Sequence, residues 1–202
     1  MSDNLPILRV FDFDGTLTIR DTFVLFITQT RGWMRMLFSF MVFSPLLLMM
    51  EIGLIEKWRV KEKLFAWHFK GMTIQNFNRL CKTFATHNKH KIIRPLGFAC
   101  IHQAQQQGEK ILIISASFEN WVAPFFDGME SVRVVGTQLE VENERLTGKF
   151  ASKNCYGQEK VNRLLSLYPK REEYNIIAYG DSKGDKELLM FSDEGHYKPF
   201  RQ

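Results

Sequence analysis

Apolar segments of strand length alternate with helical patterns along this chain, and that alternation constrains the fold more than any other feature. The strand candidates are residues 8–11, 110–115 and 175–180. The helical patterns between and after them cover residues 95–107, 158–168 and 185–191. Strands that alternate with helices in this way predict a mainly parallel sheet with right-handed crossovers.

Shorter β segments complete the predicted core. Residues 132–135 form an additional short strand, and residues 137–141 and 145–150 flank a Glu-Asn-Glu turn in a pattern typical of a hairpin. We therefore expect an α/β fold with a Rossmann-like, mainly parallel sheet, helices on both of its faces, and a small β-hairpin.

The segment between residues 18 and 94 differs in character from the rest. It is helical in pattern, rich in Phe, Met and Trp, and has no convincing strand. We interpret it as an all-helical cap inserted after the first strand. This divides the chain into an α/β core, residues 1–17 and 95–202, and a helical cap, residues 18–94.

Residues that can do chemistry stand at the ends of three predicted strands. Asp12 follows the first strand, Ser115 closes the second, and Asp181 follows the last. The carboxyl ends of parallel strands meet at one edge of a sheet, and ligands bind beyond that edge. We therefore expect the three side chains to converge.

The first of these strand ends continues as Asp12-Phe13-Asp14-Gly15-Thr16. Two carboxylates two residues apart can share a divalent cation, which offsets their mutual repulsion. One can then act as a nucleophile and the other as an acid or base. Gly15 permits a tight turn that directs amides and the Thr16 hydroxyl toward a phosphate. For this motif alone, an acidic strand end that merely terminates pairing is an equal alternative.

Each of the other candidate groups, taken alone, is weaker evidence for a functional site. Asp181 and Asp185 offer the oxygen ligands that magnesium prefers, yet a turn rich in Gly and Asp is also a common way to leave a strand. Ser115 can bind phosphoryl oxygens or cap a helix. Lys160 can neutralise a phosphate, although most helical lysines are simply solvated.

Four elements, in this order, resemble the signature motifs of the haloacid-dehalogenase superfamily: Asp12-Phe13-Asp14-Gly15-Thr16, the strand-end Ser115, Lys160, and the run from Gly180-Asp181 to Asp185. The likeness covers nearly the whole chain. Residues 146–148 and 154–161 look like the phosphoserine-phosphatase-like branch. That branch has a helical cap inserted after the first motif, where this chain has its helical segment.

The resemblance implies a magnesium-dependent phosphatase. It assigns Asp12 as the nucleophile that carries the phosphoryl group, and Asp14 as the general acid and then the general base. The implied phosphoryl-binding residues are Thr16, Ser115 and Lys160. The implied magnesium ligands are Asp12, Asp14 through its backbone carbonyl, Asp181 and, in support, Asp185. A second carboxylate at Asp14 indicates a phosphatase, because related cation pumps have threonine there and dehalogenases lack the acid.

The resemblance leaves the substrate open. A small phosphoserine-like metabolite is the nearest precedent, but the branch has a substrate-binding glutamate where this chain has Asp21. The Ser-Gly-Gly of those enzymes is Ser115-Ala116-Ser117 here. Arg59 is a further candidate for binding an anionic group of the substrate. We interpret the rest of the basic run at residues 57–63 as an exposed face.

Composition narrows the class of protein but not its partner. The 202 residues carry a net charge of +5, which suits an anionic substrate, an acidic membrane surface or nucleic acid equally. No nucleic-acid-binding motif is present, so we expect no such partner. A catalytically silent binding module is the rival hypothesis. Three cysteines without a CxxC pair and an N-terminus without a signal-peptide pattern predict a cytoplasmic protein.

The cap contains an uncharged apolar segment at residues 36–50. A helix of that length spans about 22 Å at ~1.5 Å per residue, short of the ~30 Å hydrocarbon core, and Pro45 would kink or break it. Two interpretations remain. We favour a helix buried in the cap. The alternative is a peripheral membrane contact that admits a lipid phosphate, flanked by Arg31, Arg35, Lys57 and Arg59. This segment also resembles the apolar cap of phosphatidylglycerophosphate phosphatases in the superfamily.

Overall fold

A computed structural model describes residues 5–201 of the chain. The first four residues, on which the signal-peptide interpretation partly rests, lie outside that range. The strands are β1 Ile7–Phe11, β2 Lys110–Phe118, β3 Val132–Thr137, β4 Leu139–Glu142, β5 Arg145–Phe150, β6 Asn175–Gly180 and β7 Glu194–Tyr197. Five of them form a sheet in the order β3-β2-β1-β6-β7, and each neighbouring pair is parallel. The antiparallel pair β4–β5 forms the hairpin. The predicted fold class is confirmed.

Helices cover both faces of the sheet. They are α1 Thr22–Arg31, α2 Trp33–Val42, α3 Ser44–Glu51, α4 Lys57–Phe69, α5 Ile74–Ile92, α6 Pro95–Gln106, α7 Glu119–Val122, α8 Gln158–Leu167 and α9 Lys186–Phe191. Alternate residues of β1 point to opposite faces, as they do in any strand. Leu8 and Val10 pack with α8 and α9, whereas Phe11 packs with α6 and the cap helices. The strands are therefore buried on both sides, as is usual in parallel sheets.

The main differences from the sequence-based expectation concern β2 and β7. β2 continues past Ser115 to Phe118, and its pairing with β3 shifts register between Ile114 and Phe118. Ser115 therefore stands where regular pairing ends, inside the strand rather than at its end. The edge strand β7 was not predicted, because all four of its residues are exposed and no apolar pattern marks it.

The segment at residues 18–94, between the turn that follows β1 and the start of α6, contains α1 to α5. Its two ends are joined to each other, since Thr18 and Ile93 form a β-bridge and Arg94 N donates to Leu17 O at 2.7 Å. Buried aromatic side chains fill its interior: Phe26, Phe65, Phe69, Phe77 and Phe84. The division into core and cap at residues 18 and 94 remains our proposal.

The apolar segment at residues 36–50 is two helices, α2 and α3, with Pro45 in the first turn of α3. The expectation that this segment is buried is wrong. No residue of α3 is buried, and α2 buries only Met36 and Ser39. Of the apolar residues in this segment, Phe40, Phe43, Leu46, Leu47 and Met50 pack against the main buried cluster. Among the described helices, none alone has the length and hydropathy of a membrane span; α2 and α3 meet that criterion only as a pair, bent by 67°.

Candidate active site

The carboxyl ends of three neighbouring strands form the site. Asp12 continues β1, and its backbone N–H donates to Tyr179 O of β6 at 2.9 Å. Asp181 follows β6 and Ser115 lies near the end of β2. Because β1 stands between β2 and β6, Asp12 is central and the other two residues flank it.

The turn after β1 requires its glycine. Gly15 has a φ of +83°, and a Cβ atom there would lie 2.5 Å from a carboxylate oxygen of Asp181. No other residue fits that space without moving Asp181. The turn also brings Thr16 back over the strand end, where its hydroxyl donates to Oδ2 of Asp12 at 2.9 Å.

Lys160 reaches the site from the first turn of α8. Its Nζ lies 2.5 Å from Oδ1 of Asp12 and 2.6 Å from Oδ1 of Asp185, and all three side chains are buried. Burial alone would lower the pKa of Lys160, but the carboxylates of Asp12 and Asp185 raise it above its ordinary value. Burial raises the pKa of Asp12 to about 7, against the opposing effect of Lys160.

Asp185 holds the turn that follows β6. Its Oδ2 accepts hydrogen bonds from the backbone N–H groups of Asp181 and Ser182 and from the Ser182 hydroxyl, at 3.2, 3.0 and 2.8 Å. Although burial alone would raise the pKa of Asp185, Lys160 and the Ser182 contacts lower it. One carboxylate thus anchors both the lysine and the turn that presents Asp181.

The geometry fits a magnesium ion. One carboxylate oxygen from each of Asp12, Asp181 and Asp185 lies within 4.8 Å of the others. Oxygen ligands at this spacing are the kind that magnesium prefers. The guanidinium of Arg201 also contacts Asp181, at 2.5 Å. The side chain of Asp14 is not part of this group, so only its backbone carbonyl is left for the ligand role expected from sequence.

Asp14 is held by the first turn of α1. Its Oδ1 accepts from the backbone N–H and the hydroxyl of Thr22, at 2.7 and 2.6 Å. Its Oδ2 lies 3.5 Å from the Ser115 hydroxyl. Burial, and then the negative charge of Asp21, raise the pKa of Asp14. A carboxyl group with a raised pKa is suited to carry a proton in catalysis.

The two candidate substrate-binding residues have different positions. Asp21 lines the site cavity and caps α1 by accepting from the Phe23 backbone N–H at 2.8 Å. Arg59 is exposed, pairs with Glu56 and is not among the residues that line the cavity. The structure therefore brings Asp21, but not Arg59, together with the other predicted residues.

Sequence reasoning missed Lys61. It belongs to the basic run interpreted as an exposed face, yet it lines the cavity beside Asp14 and Asp21. Its Nζ donates to Ala116 O at 3.0 Å, and desolvation lowers its pKa. Within residues 5–201, no ion pair involves this ammonium group. The signal was its spacing, because Lys61 precedes buried Leu64 and His68 by three and seven residues on α4.

Several of the site residues described above line a cavity of about 190 Å³. Its core-side lining includes Asp12, Asp14, Ser115 and Lys160, and its cap-side lining is Asp21 and Lys61. The volume is below the ~300 Å³ at which ligand pockets usually begin. It suits a phosphoryl group with a few further atoms, and a larger ligand would have to extend past the exposed Tyr156 at its rim.

Solved structures share this fold. A protein of unknown function from Bordetella pertussis Tohama I superposes with a TM-score of 0.77 at 17% identity, over 93% of this chain and 87% of that one. A substrate-bound phosphoserine phosphatase superposes with a TM-score of 0.60 at 14% identity, over 95% of this chain and 84% of that one.

Sequence comparison identifies the family. Protein CicA of Caulobacter vibrioides is 32% identical over 197 residues, which are 97% of this chain and 87% of that protein. The family model described as haloacid dehalogenase-like hydrolase matches residues 10–190, a range that contains every residue of the site described above except Arg201. The chain belongs to the haloacid dehalogenase-like hydrolase family.

Proposed function

We propose that this protein is a magnesium-dependent phosphatase that hydrolyses phosphomonoesters through a phosphoryl-aspartate on Asp12. The observation that carries the proposal is the arrangement of two unlike carboxylates. Asp12 contacts the Lys160 ammonium and lies within a group of possible metal ligands, whereas Asp14 points away from that group to Thr22. This arrangement supports Asp12 as the nucleophile and Asp14 as the group that transfers a proton.

The first step forms a bond between a carboxylate oxygen of Asp12 and phosphorus. The Thr16 and Ser115 hydroxyls and the Lys160 ammonium bind and orient the phosphoryl oxygens. Magnesium, when bound by Asp12, Asp181 and Asp185, supplies charge neutralisation to the phosphoryl group. The bond from phosphorus to the ester oxygen breaks, and Asp14 donates its proton to the departing alkoxide.

The second step returns the enzyme to its starting state. Asp14, now a carboxylate, accepts a proton from a water molecule, whose oxygen attacks the phosphorus. The bond between phosphorus and Asp12 breaks, the Asp12 carboxylate is restored and inorganic phosphate leaves. Asp14 regains in this step the proton that it gave up in the first, so the cycle balances.

The position of Lys61 supports a substrate whose leaving group carries a second anionic group. A desolvated ammonium without an ion-pair partner is costly, and an anion of the substrate would relieve that cost. We infer that Lys61, rather than Arg59, contacts such a group, with Asp21 beside it. A small phosphoserine-like metabolite meets this requirement. Consistent with it, the solved phosphoserine phosphatases share the fold.

A lipid phosphate is the second candidate. The exposed apolar residues of α2 and α3 favour it, and a phosphodiester close to the phosphomonoester would offer Lys61 the same negative charge as a carboxylate does. The small cavity admits either headgroup, because the rest of a lipid would stay outside it. The third hypothesis, a silent binding module, is disfavoured, since Asp12, Asp14 and Lys160 all line one cavity.

Phosphate release tests the proposal. The purified protein should hydrolyse p-nitrophenyl phosphate with added magnesium and lose that activity in EDTA. A panel of phosphoserine-like metabolites and phosphatidylglycerophosphate-like lipids then identifies the substrate class by kcat/KM. Turnover that is unchanged by EDTA would contradict the magnesium assignment, and no turnover of any phosphomonoester would contradict the phosphatase assignment.

A further inference from the structure

Large apolar side chains on α2 and α3 face solvent. Trp33, Met34 and Met41 are each about two-thirds exposed, and Leu37 and Leu48 are more than half exposed. The exposed area continues into Ile52 and Leu54 after α3 and into Trp67 on α4. We call these residues, together with the rest of 33–54, the α2–α3 surface. A contiguous apolar patch of this kind marks an interaction site in most soluble domains.

The only charge along most of the α2–α3 surface is positive. Arg35 is the only charged residue between positions 33 and 50, and it is exposed. Lys57 and Arg59 lie just beyond the C-terminal end of α3. The nearby acidic residues are Glu51 and Glu56 at that same end, and Glu56 is already paired with Arg59. An apolar surface with cationic side chains fits a partner that has an apolar interior bordered by anionic groups.

The shape of the helix pair fits the edge of a bilayer. A bend of 67° between α2 and α3 limits their combined reach to about 23 Å at ~1.5 Å per residue. That reach is shorter than the ~30 Å hydrocarbon core but ample for lying within one leaflet. Aromatic residues such as Trp33 and Trp67 favour the boundary between headgroups and acyl chains.

We propose that the α2–α3 surface docks the protein on an anionic lipid bilayer. The apolar side chains of α2 and α3 insert among the acyl chains, and Arg35 and Lys57 meet the anionic headgroups. A second copy of the chain fits less well. A two-fold contact through the same surface would carry Arg35 of both copies into an apolar interface. Glu51, near the far end of the surface, is the only acidic residue between positions 33 and 54.

Docking would also orient the cap helix α4. Trp67 on α4 packs against Phe38 and Phe43, with ring centroids 6.5 and 5.7 Å apart. The same helix carries Lys61 into the cavity, about 9 Å along its axis from Trp67. The bilayer would thus hold α4 from one side while Lys61 faces the substrate on another. The docking proposal does not depend on which phosphomonoester is hydrolysed.

Vesicle co-sedimentation tests the proposal. The full chain is incubated with vesicles of phosphatidylcholine and phosphatidylglycerol, and in parallel with phosphatidylcholine alone, at low and high salt. The test variants are Leu37→Glu, Leu48→Glu and Arg35→Glu, all at exposed positions. Met190→Glu is the matched control, because Met190 is 76% exposed on α9, which packs against the opposite face of the sheet. Turnover of p-nitrophenyl phosphate and the unfolding midpoint check that each variant is folded.

The wild type and Met190→Glu should bind the anionic vesicles, with affinity that falls as salt rises. Leu37→Glu and Leu48→Glu should weaken binding by about tenfold or more, since each places a charge in the inserted face. Arg35→Glu should remove most of the preference for anionic vesicles. A wild type that stays in the supernatant overturns the proposal, as do variants that bind like the wild type. A concentration-dependent dimer lost in Leu37→Glu, without vesicle binding, would assign the surface to self-association instead.

Discussion

The Nζ atom of Lys160 lies 2.5 Å from Oδ1 of Asp12, and both side chains are buried. Burial alone raises the pKa of Asp12 and disfavours the carboxylate that has to attack phosphorus. The lysine opposes that effect and also contacts Asp185. Removing one partner of a buried ion pair leaves an uncompensated charge, which is more costly than never having formed the pair.

Replacement of Lys160 therefore should affect both stability and activity. Lys160→Met keeps much of the side-chain volume but leaves Asp12 and Asp185 without their shared cation. We expect kcat to fall by ~10²-fold or more and the free energy of unfolding to fall by about 3–5 kcal/mol. Steady-state kinetics at saturating magnesium and urea unfolding measure the two effects. Lys186→Met, at an exposed position on α9, is the control and should change neither.

Asp14 should matter most for substrates with poor leaving groups. In Asp14→Asn the proton for the departing alkoxide is lost, whereas p-nitrophenolate leaves without one. We expect kcat/KM for an alkyl phosphate to fall ~10²–10⁴-fold, and the value for p-nitrophenyl phosphate to fall less. Equal losses for both substrates would assign Asp14 a positioning role. Asp21→Asn should show no such dependence on the leaving group.

Lys61 and Arg59 form a matched pair for testing substrate recognition. Lys61→Ala should lower kcat/KM by ~10–100-fold for a substrate with a second anionic group, and much less for p-nitrophenyl phosphate, which lacks one. Arg59→Ala should leave both values near wild type, because Arg59 is exposed and paired with Glu56. The reverse pattern would restore Arg59 as the substrate-binding residue.

His68 should make the cap sensitive to acid. It is buried with Nε2 3.1 Å from the Ser39 hydroxyl, and burial together with Arg31 and Arg35 lowers its pKa to about 4. The unfolded chain takes up a proton near pH 6.5, but the folded protein does not until about pH 4. As the pH is lowered from about 6.5 to about 4, the free energy of unfolding should therefore fall by up to about 3 kcal/mol. Denaturant unfolding across this range should show a flatter pH profile for His68→Gln, and an unchanged profile would refute the assignment.

Much of the site was predictable because local sequence determines it. The Asp12-to-Thr16 turn and the Gly180-to-Asp185 turn follow apolar strands whose alternation with helices predicts one parallel sheet. That sheet brings their carboxylates together at one edge. Lys61 was missed because its burial depends on how α4 packs over the core. The basic residues around it in sequence are typical of an exposed helix face and gave no sign of that packing.

The exposure of the α2–α3 surface was not predictable for a related reason. An uncharged run at residues 36–50 is compatible with a buried helix or an exposed one, and only the packing of the cap decides between them. The short strand β7 was missed because its residues are exposed. Its sequence therefore lacks the apolar pattern that would predict a strand paired with β6.

The covalent phosphoryl group is the central claim of the account and can be located directly. Wild type and Asp14→Asn are treated with labelled acetyl phosphate in magnesium, quenched in acid, digested and sequenced by mass spectrometry. The account predicts a hydroxylamine-labile label on Asp12, more abundant in Asp14→Asn because its hydrolysis is slowed, and absent from Asp12→Asn, whose kcat should be lower by ~10³-fold or more. A label on Ser115 or a histidine, or substantial magnesium-dependent turnover by Asp12→Asn, would contradict it.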